Sequence, residues 1–293
     1  MTEQPESHTD IESRGTASIA TVAPPVLLFI LALAVFWPNL VWLVQTWTAD
    51  EFYNHGFLIP LISGYLVYRK WHRLGSLPRT GHGWGVALIV ASVCLHLVAT
   101  YLDVNFVSTF ALIGVLAGLV WWLWGWQVFD EVAFPFGFLV FMVPLGKLLI
   151  DQVAQPMQVV GAKLAGGAAQ FLGMPVAIDG ITLSTPEYTF EVAIACSGLK
   201  SAIAMLALGA LLAFLVKGVW WQRIIIFASA LPVAILANAV RIWLTLIMGR
   251  SLGEKAAEGF FHTFSGALVF LLAFLGLFGV TSLLQCRQLR DDI

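Results

Sequence analysis

Long apolar runs bounded by charged residues constrain this 293-residue chain more than any other feature. Several of these runs hold about 18 residues or more, the length that a helix needs to cross the hydrocarbon core of a bilayer. Hydrophobic residues make up 59% of the sequence and charged residues only 11%, whereas a soluble domain carries roughly 25% charged residues. The sequence therefore predicts an all-α fold, a polytopic transmembrane helical bundle.

We expect about eight spans. They are predicted at residues 25–44, 56–67, 84–101, 106–124, 134–150, 197–216, 224–248 and 263–284. After the fifth span, residues 151–173 are rich in Gly and Ala and mildly amphipathic, which predicts a helix at the bilayer surface. Residues 174–193 alternate apolar and polar positions around Gly180 and Pro186, which predicts a small β-hairpin. This helix and hairpin form an expected extracytoplasmic insertion, residues 151–195, before the sixth span.

The charges predict both the ends of the domain and its orientation. Residues 1–20 are polar and lack the basic start and short apolar core of a cleaved signal peptide, so we expect a disordered cytoplasmic tail. The remainder, residues 21–293, is predicted to be a single transmembrane domain. Basic residues of short loops stay in the cytoplasm. With the N-terminus inside, the cytoplasmic side receives Arg69, Lys70, Arg73, Arg79, Lys217, Arg223, Arg287 and Arg290.

Under this topology three polar side chains lie at the outer ends of the last three spans. Cys196 opens the sixth span, and His262 directly precedes the eighth. Arg241 lies roughly 27 Å along the seventh helix from Arg223, at 1.5 Å per residue. A thiol must ionise before it attacks a carbonyl. The start of a helix and the nearby Lys200 both favour that anion.

The other two side chains fit the later steps of acyl transfer from a thiol. His262 can hold the proton as imidazolium and deliver it to a leaving amine. Arg241 can donate hydrogen bonds to a developing oxyanion, and Asn238, one turn earlier, can brace its guanidinium. The three cysteines lack the spacing of a metal site or a disulfide framework. No basic patch suggests nucleic acid as a partner.

Short blocks around these side chains resemble the signature blocks of the exosortase/archaeosortase family. The three central blocks are ACSGLK at 195–200, NAVR at 238–241 and HTFSG at 262–266. Three outlying blocks of the family are similar to NHGFLIPLI at 54–62, FLVFMVPL at 138–145 and GMPVAIDG at 173–180. The resemblance covers about residues 54–270, with the blocks in the family's order.

This resemblance implies a membrane-embedded cysteine protease or transpeptidase with Cys196, Arg241 and His262 as its catalytic residues. Its implied partners are exported proteins whose C-terminal tail carries a Pro-Glu-Pro-type (PEP-CTERM-like) sorting motif, a transmembrane helix and basic residues. The enzyme would cleave that tail through a thioester and transfer the protein to an acceptor, for surface anchoring or release. Neither a metal nor an organic cofactor is implied. The expected location is the bacterial cytoplasmic (inner) membrane, among its lipids, with the active site on the extracytoplasmic side.

Five further residues are candidates for substrate-binding or supporting roles. Ser197 and Lys200 belong to the cysteine block, and Asn238 belongs to the arginine block. His55 has either a structural or a substrate-positioning role. Glu191 either helps to recognise substrate or lies on a solvated loop.

A second class of function stays open on the sequence alone. Arg241 and His262 would then line a path through a channel or transporter, or the chain would be a non-enzymatic membrane subunit of an exopolysaccharide assembly system. A transporter predicts paired charges and broken helices at the middle of the bilayer. The polar side chains here are predicted at one surface instead, which favours the enzyme.

Overall fold

The computed structural model describes residues 23–187, 189–252, 260–286 and 288–290, with the side chains at 147–149, 195, 251–252, 260–265 and 267 outside this description. The predicted tail at residues 1–20 lies outside the described residues. The chain forms two compact units, Met1–Gln45 with Val67–Val143 and Thr46–Leu66 with Pro144–Ile293. The prediction of a single domain over residues 21–293 stays a prediction.

Helices dominate the described part of the chain. In chain order they are α1 (Ala23–Val35), α2 (Trp37–Ala49), α3 (Leu58–Arg69), α4 (Trp71–Ser76), α5 (Gly83–Tyr101), α6 (Asn105–Trp124), α7 (Trp126–Phe138), α8 (Lys147–Phe171), α9 (Leu199–Leu215), α10 (Trp220–Leu252) and α11 (Phe260–Leu283).

The apolar helices support a helical membrane protein, but they do not confirm the expected number of spans. Within the described residues, three helices are long and apolar enough to cross a bilayer: α5, α6 and Trp220–Arg250 of α10. The predicted first span is not straight, because α1 and α2 form a pair bent by 65°. Helix α3 has 12 residues and so covers only about 18 Å of a hydrocarbon core that is about 30 Å thick.

The predicted fifth span, residues 134–150, is wrong as a continuous helix. Helix α7 ends at Phe138, a 3₁₀ turn covers Leu139–Met142, and an extended stretch precedes α8 at Lys147. Pro144 has no N–H to donate and disfavours helical geometry at the residue before it. Val143 accordingly has an extended backbone, with φ −78° and ψ 116°.

The first unit is centred on the packing of α5 against α6. The two backbones approach closely because Gly85 has no side chain: a Cβ there would lie only 2.7 Å from the Trp122 Cα. Polar side chains in this unit pair with one another: His96 Nδ1 lies 2.8 Å from Ser108 Oγ. Such pairing satisfies polar groups that would otherwise be costly to bury.

The second unit is organised around α10, which packs against α8, α9 and α11. Ile226, Ala230, Ala234 and Ala237 follow helical spacing along one buried face of α10. Small side chains at a helix interface let the backbones approach closely. A Cβ on Gly209 of α9 would lie 2.9 Å from that of Ala230.

The insertion between α8 and α9 contains more than the predicted hairpin. Within the described residues it forms a three-stranded antiparallel sheet of β1 (Ala177–Asp179), β2 (Thr182–Ser184) and β3 (Thr189–Glu191). The predicted hairpin has two strands, and the structure adds β3 as a third, paired with β2. The apolar face of the sheet packs on the buried alanines of α8. Strand β3 leads directly into the turn that holds Cys196.

Candidate functional site

Cys196 ends a single 3₁₀ turn, Ile194–Cys196, rather than opening the sixth helix itself. The N-cap of α9 is Gly198, two residues later. The Cys196 side chain is 7% exposed and belongs to the core between α8, the sheet and α10. Its carbonyl oxygen accepts a hydrogen bond of 2.9 Å from Nδ2 of Asn238. Helix α10 therefore holds the backbone of the thiol-bearing residue.

The turn after Cys196 depends on a glycine. Gly198 has φ +82°, a conformation that other residues rarely adopt. A Cβ at this position would lie 2.7 Å from Cγ and 2.8 Å from Cβ of Asn238. Ser197 is 2% exposed, and its Oγ accepts a 3.2 Å hydrogen bond from the N–H of Leu199. Ser197 thus shapes the start of α9.

Helix α8 holds the same turn from another direction. The side chain of Gln158 is 5% exposed, and its Nε2 donates a 2.6 Å hydrogen bond to the carbonyl of Val192. A Cβ on Gly161 would lie 2.9 Å from Cδ1 of Ile242. Sequence reasoning did not single out Gln158. It is one of four glutamines in α8, so nothing in the sequence set it apart from the other three.

The electrostatics of the thiol differ from the expected helix-terminus effect. Cys196 lies outside the membrane-spanning helices, and burial raises the pKa of its thiol above the usual value. The positive charge of Arg241 opposes that shift and lowers the pKa. The ammonium of Lys200, which we expected to favour the thiolate, instead lies 3.1 Å from Oε2 of Glu51. Arg241 is therefore the cation that acts on the thiol.

Arg241 and Asn238 reach the site from one side of α10, because they stand three positions apart on the helix. Arg241 is half-buried, and its carbonyl accepts a 3.0 Å hydrogen bond from Oγ1 of Thr245. We expected Asn238 to brace the guanidinium. Its Oδ1 is instead buried and has no hydrogen-bond partner among the described residues, while its Nδ2 binds the Cys196 carbonyl.

The loop between α2 and α3 carries His55 and is fastened to the rest of the second unit. Glu51 of this loop forms the ion pair with Lys200 at the start of α9. Tyr53 is 1% exposed, and its Oη accepts a 2.9 Å hydrogen bond from the N–H of Leu145. The His55 and Tyr53 ring centroids are 6.3 Å apart. Sequence reasoning gave neither Glu51 nor Tyr53 a role in the site, because their partners lie far away in the chain.

Two candidate residues remain, Glu191 and His262. Glu191 is exposed at the end of β3, opposite Thr182, five residues before Cys196. His262 lies in the first turn of α11, and its side chain is outside the described part. Within the described residues, no group of three or more His, Cys, Asp or Glu side chains is placed to hold a metal ion.

The fold and these contacts define a class: a helical membrane protein with a buried thiol in the core between α8, the sheet and α10 of its second unit. The model of the transmembrane exosortase family (Exosortase_EpsH) matches residues 47–279, and the chain belongs to this family. No curated protein and no solved structure is significantly similar to the chain.

Proposed function

We propose that this chain is a cysteine transpeptidase of the membrane that cleaves the C-terminal sorting tail of exported proteins through a thioester at Cys196. The observation that carries the proposal is the buried thiol of Cys196, in a turn whose carbonyl Asn238 holds three positions before Arg241 on α10. Membership of the exosortase family supports an enzyme of this type. The thiol is buried in protein, unlike a side chain that lines a water-filled path.

The first chemical step makes the nucleophile. The buried thiol is protonated at rest, since burial raises its pKa. In the proposed reaction the imidazole of His262 takes the Sγ proton as sulfur attacks the scissile carbonyl carbon. The carbonyl oxygen becomes an oxyanion, and Arg241 stabilises it by hydrogen bonds and charge.

The second step breaks the peptide bond. The tetrahedral intermediate collapses, the C–N bond breaks, and His262 returns its proton to the departing amine of the tail. A thioester at Cys196 remains. An acceptor nucleophile then attacks that thioester and releases the protein, whereas attack by water would make the reaction simple proteolysis.

The surrounding residues have proposed roles in binding. Glu191 is exposed where β3 meets the Cys196 turn, so it can contact a sorting motif that approaches the thiol. His55 lies in the loop that Glu51 ties to the start of α9, so we assign it a substrate-positioning role. We place this site on the extracytoplasmic side of a bacterial inner membrane, where exported proteins with Pro-Glu-Pro-type tails are found.

The test is co-expression of the chain with a protein that bears such a tail, followed by mass spectrometry of the membrane fraction. We expect the wild-type chain to cleave the tail and to yield a thioester adduct on the peptide that contains Cys196. Cys196→Ala should abolish both products. His262→Ala and Arg241→Ala should each reduce cleavage by about 10²-fold or more, the range for loss of a proton-transfer or oxyanion group.

Cys94→Ala is the matched control, since Cys94 is exposed on α5 in the other unit. It should leave cleavage unchanged. Folding of every variant is checked by its melting temperature in detergent. Cleavage that survives Cys196→Ala in a folded protein would refute the proposal.

A further inference from the structure

An apolar cavity of about 410 Å³ lies within the first unit of the chain. Helices α1, α4, α6 and α7 contribute aromatic side chains to its wall, among them Phe29, Trp71, Trp124 and Phe136. The volume falls within the range of about 300–1,000 Å³ that is usual for small-molecule sites. Such sites combine a mostly apolar wall with a few polar groups that orient the ligand. This cavity shares no lining residue with the thiol site.

Arg79 is the charged residue that lines the cavity. The nearby cations Lys70 and Arg73 both bind the Glu131 carboxylate, at 3.0 and 2.7 Å. By contrast, no described residue forms a hydrogen bond or an ion pair with Arg79. The edge of an apolar cavity therefore carries a positive charge that the described part of the chain does not neutralise.

The backbone fixes the place of that charge. Gly125, which follows α6, has φ +88°, and a Cβ there would overlap the carbonyl of Thr80. A Cβ on Gly81 would lie almost as close to the carbonyl oxygen of Trp122. The two residues after Arg79 are thus packed against the C-terminal end of α6. These contacts fix the backbone that follows Arg79 beside the cavity, and the Arg79 side chain itself is exposed.

We propose that this cavity binds an anionic phospholipid, with an acyl chain against its apolar wall and the phosphate on Arg79. The wall offers apolar contact and the guanidinium offers paired hydrogen bonds that suit a phosphate. A chain of the exosortase family lies in a bilayer that supplies this ligand. Basic segments beside a membrane helix attract anionic lipids. The site does not depend on the proposed transpeptidase chemistry.

The experiment measures lipid retention by native mass spectrometry on the full-length chain, delipidated in detergent and then titrated with vesicle lipid. Phosphatidylglycerol is compared with phosphatidylcholine of the same acyl chains. Arg79→Ala should lower retention of phosphatidylglycerol about fivefold, from the loss of one lipid-facing cation. Arg73→Ala is the matched control, since it removes a charge from the same segment but not from the cavity wall.

Val128→Phe tests the acyl chain, because Val128 is 6% exposed and lines the cavity. The larger ring should lower retention of both lipids, and Val128→Leu provides a milder change should the first variant fail to fold. Inorganic phosphate alone should bind far more weakly than the lipid. Equal losses in Arg79→Ala and Arg73→Ala would overturn the proposal in favour of diffuse surface charge. Unchanged lipid retention in a folded Val128 variant would also overturn it and would indicate a different occupant of the cavity, such as a peptide.

Discussion

Replacing Gly198 with alanine tests how the turn after Cys196 is held against α10. Gly198 has φ +82°, and its added Cβ would lie 2.7 Å from Cγ and 2.8 Å from Cβ of Asn238. The left-handed conformation costs an alanine about 1–2 kcal/mol, and overpacking a buried contact adds about 1–3 kcal/mol. We therefore expect Gly198→Ala to lower the free energy of unfolding by roughly 2–5 kcal/mol.

The chain offers a matched control in Gly173. Its φ is +80°, so alanine meets the same backbone strain, but no heavy atom lies within 4 Å of the added Cβ. Gly173→Ala should therefore cost only the conformational part, about 1–2 kcal/mol. The difference between the two variants measures the contact between Gly198 and Asn238, and we expect it to be about 1–3 kcal/mol.

The assay has two readouts on the same purified protein. Thermal and denaturant unfolding in detergent give the stability of each variant. Alkylation of Cys196, followed by mass spectrometry in a Cys94→Ala and Cys286→Ala background, reports the state of the turn. Because Asn238 holds the Cys196 carbonyl, Gly198→Ala should change the alkylation rate and Gly173→Ala should not.

A double variant sharpens the test. Asn238→Ala removes two of the three Asn238 atoms that a Cβ at Gly198 would meet, Cγ and Nδ2, and keeps the Cβ at 2.8 Å. In the presence of Gly198→Ala it should therefore cost less than it does alone, by a coupling of about 0.5–3 kcal/mol. Equal stability losses in Gly198→Ala and Gly173→Ala, with no coupling to Asn238, would refute the reasoning about this turn.

Three further predictions concern the surroundings of the thiol. Burial raises the pKa of Cys196, and the charge of Arg241 lowers it. Alkylation of Cys196 should therefore begin to rise at a higher pH than alkylation of a free thiol. In Arg241→Ala the rise should move to still higher pH. Gln158→Leu leaves the Val192 carbonyl without its 2.6 Å hydrogen-bond donor. It should lower the free energy of unfolding in denaturant by about 1–3 kcal/mol. Gln170→Leu should cost less, because the Gln170 side chain is exposed. Lys200→Ala breaks an exposed ion pair and should change stability by less than about 1 kcal/mol, with little dependence on salt in the variant.

The helices that the sequence predicts well are those in which nothing interrupts the apolar run. Residues 84–101 and 106–124 were expected as spans, and the structure has helices at Gly83–Tyr101 and Asn105–Trp124. The fifth span failed because hydropathy does not register that Pro144 removes a backbone donor and restrains Val143. The length of an apolar run indicates which residues prefer the membrane, but it does not indicate whether their backbone can remain helical.

The candidate site divides along a similar line. Sequence blocks indicated Cys196, Asn238 and Arg241, because Cys196 stands where an apolar run begins and the other two are polar side chains inside one. Gln158 and Tyr53 were missed because each pairs with a backbone group of a distant residue. A backbone carbonyl or amide occurs at every position, so the sequence identifies a side-chain donor or acceptor but not its partner. Only the packing of α8 and of the neighbouring loops specifies that partner.

Asn238 and Arg241 both act on Cys196 from α10, so we expect the position of α10 to affect the reactivity of the thiol. Asn238 fixes the backbone of Cys196 through its carbonyl, while Arg241, three residues along, lowers the pKa that burial has raised. A shift or rotation of α10 would change both effects together, since neither side chain can move far from the other. Lys200, although closer in sequence, has its charge engaged by Glu51. We therefore expect the packing of α10, rather than the nearby charge of Lys200, to determine the reactivity of the thiol.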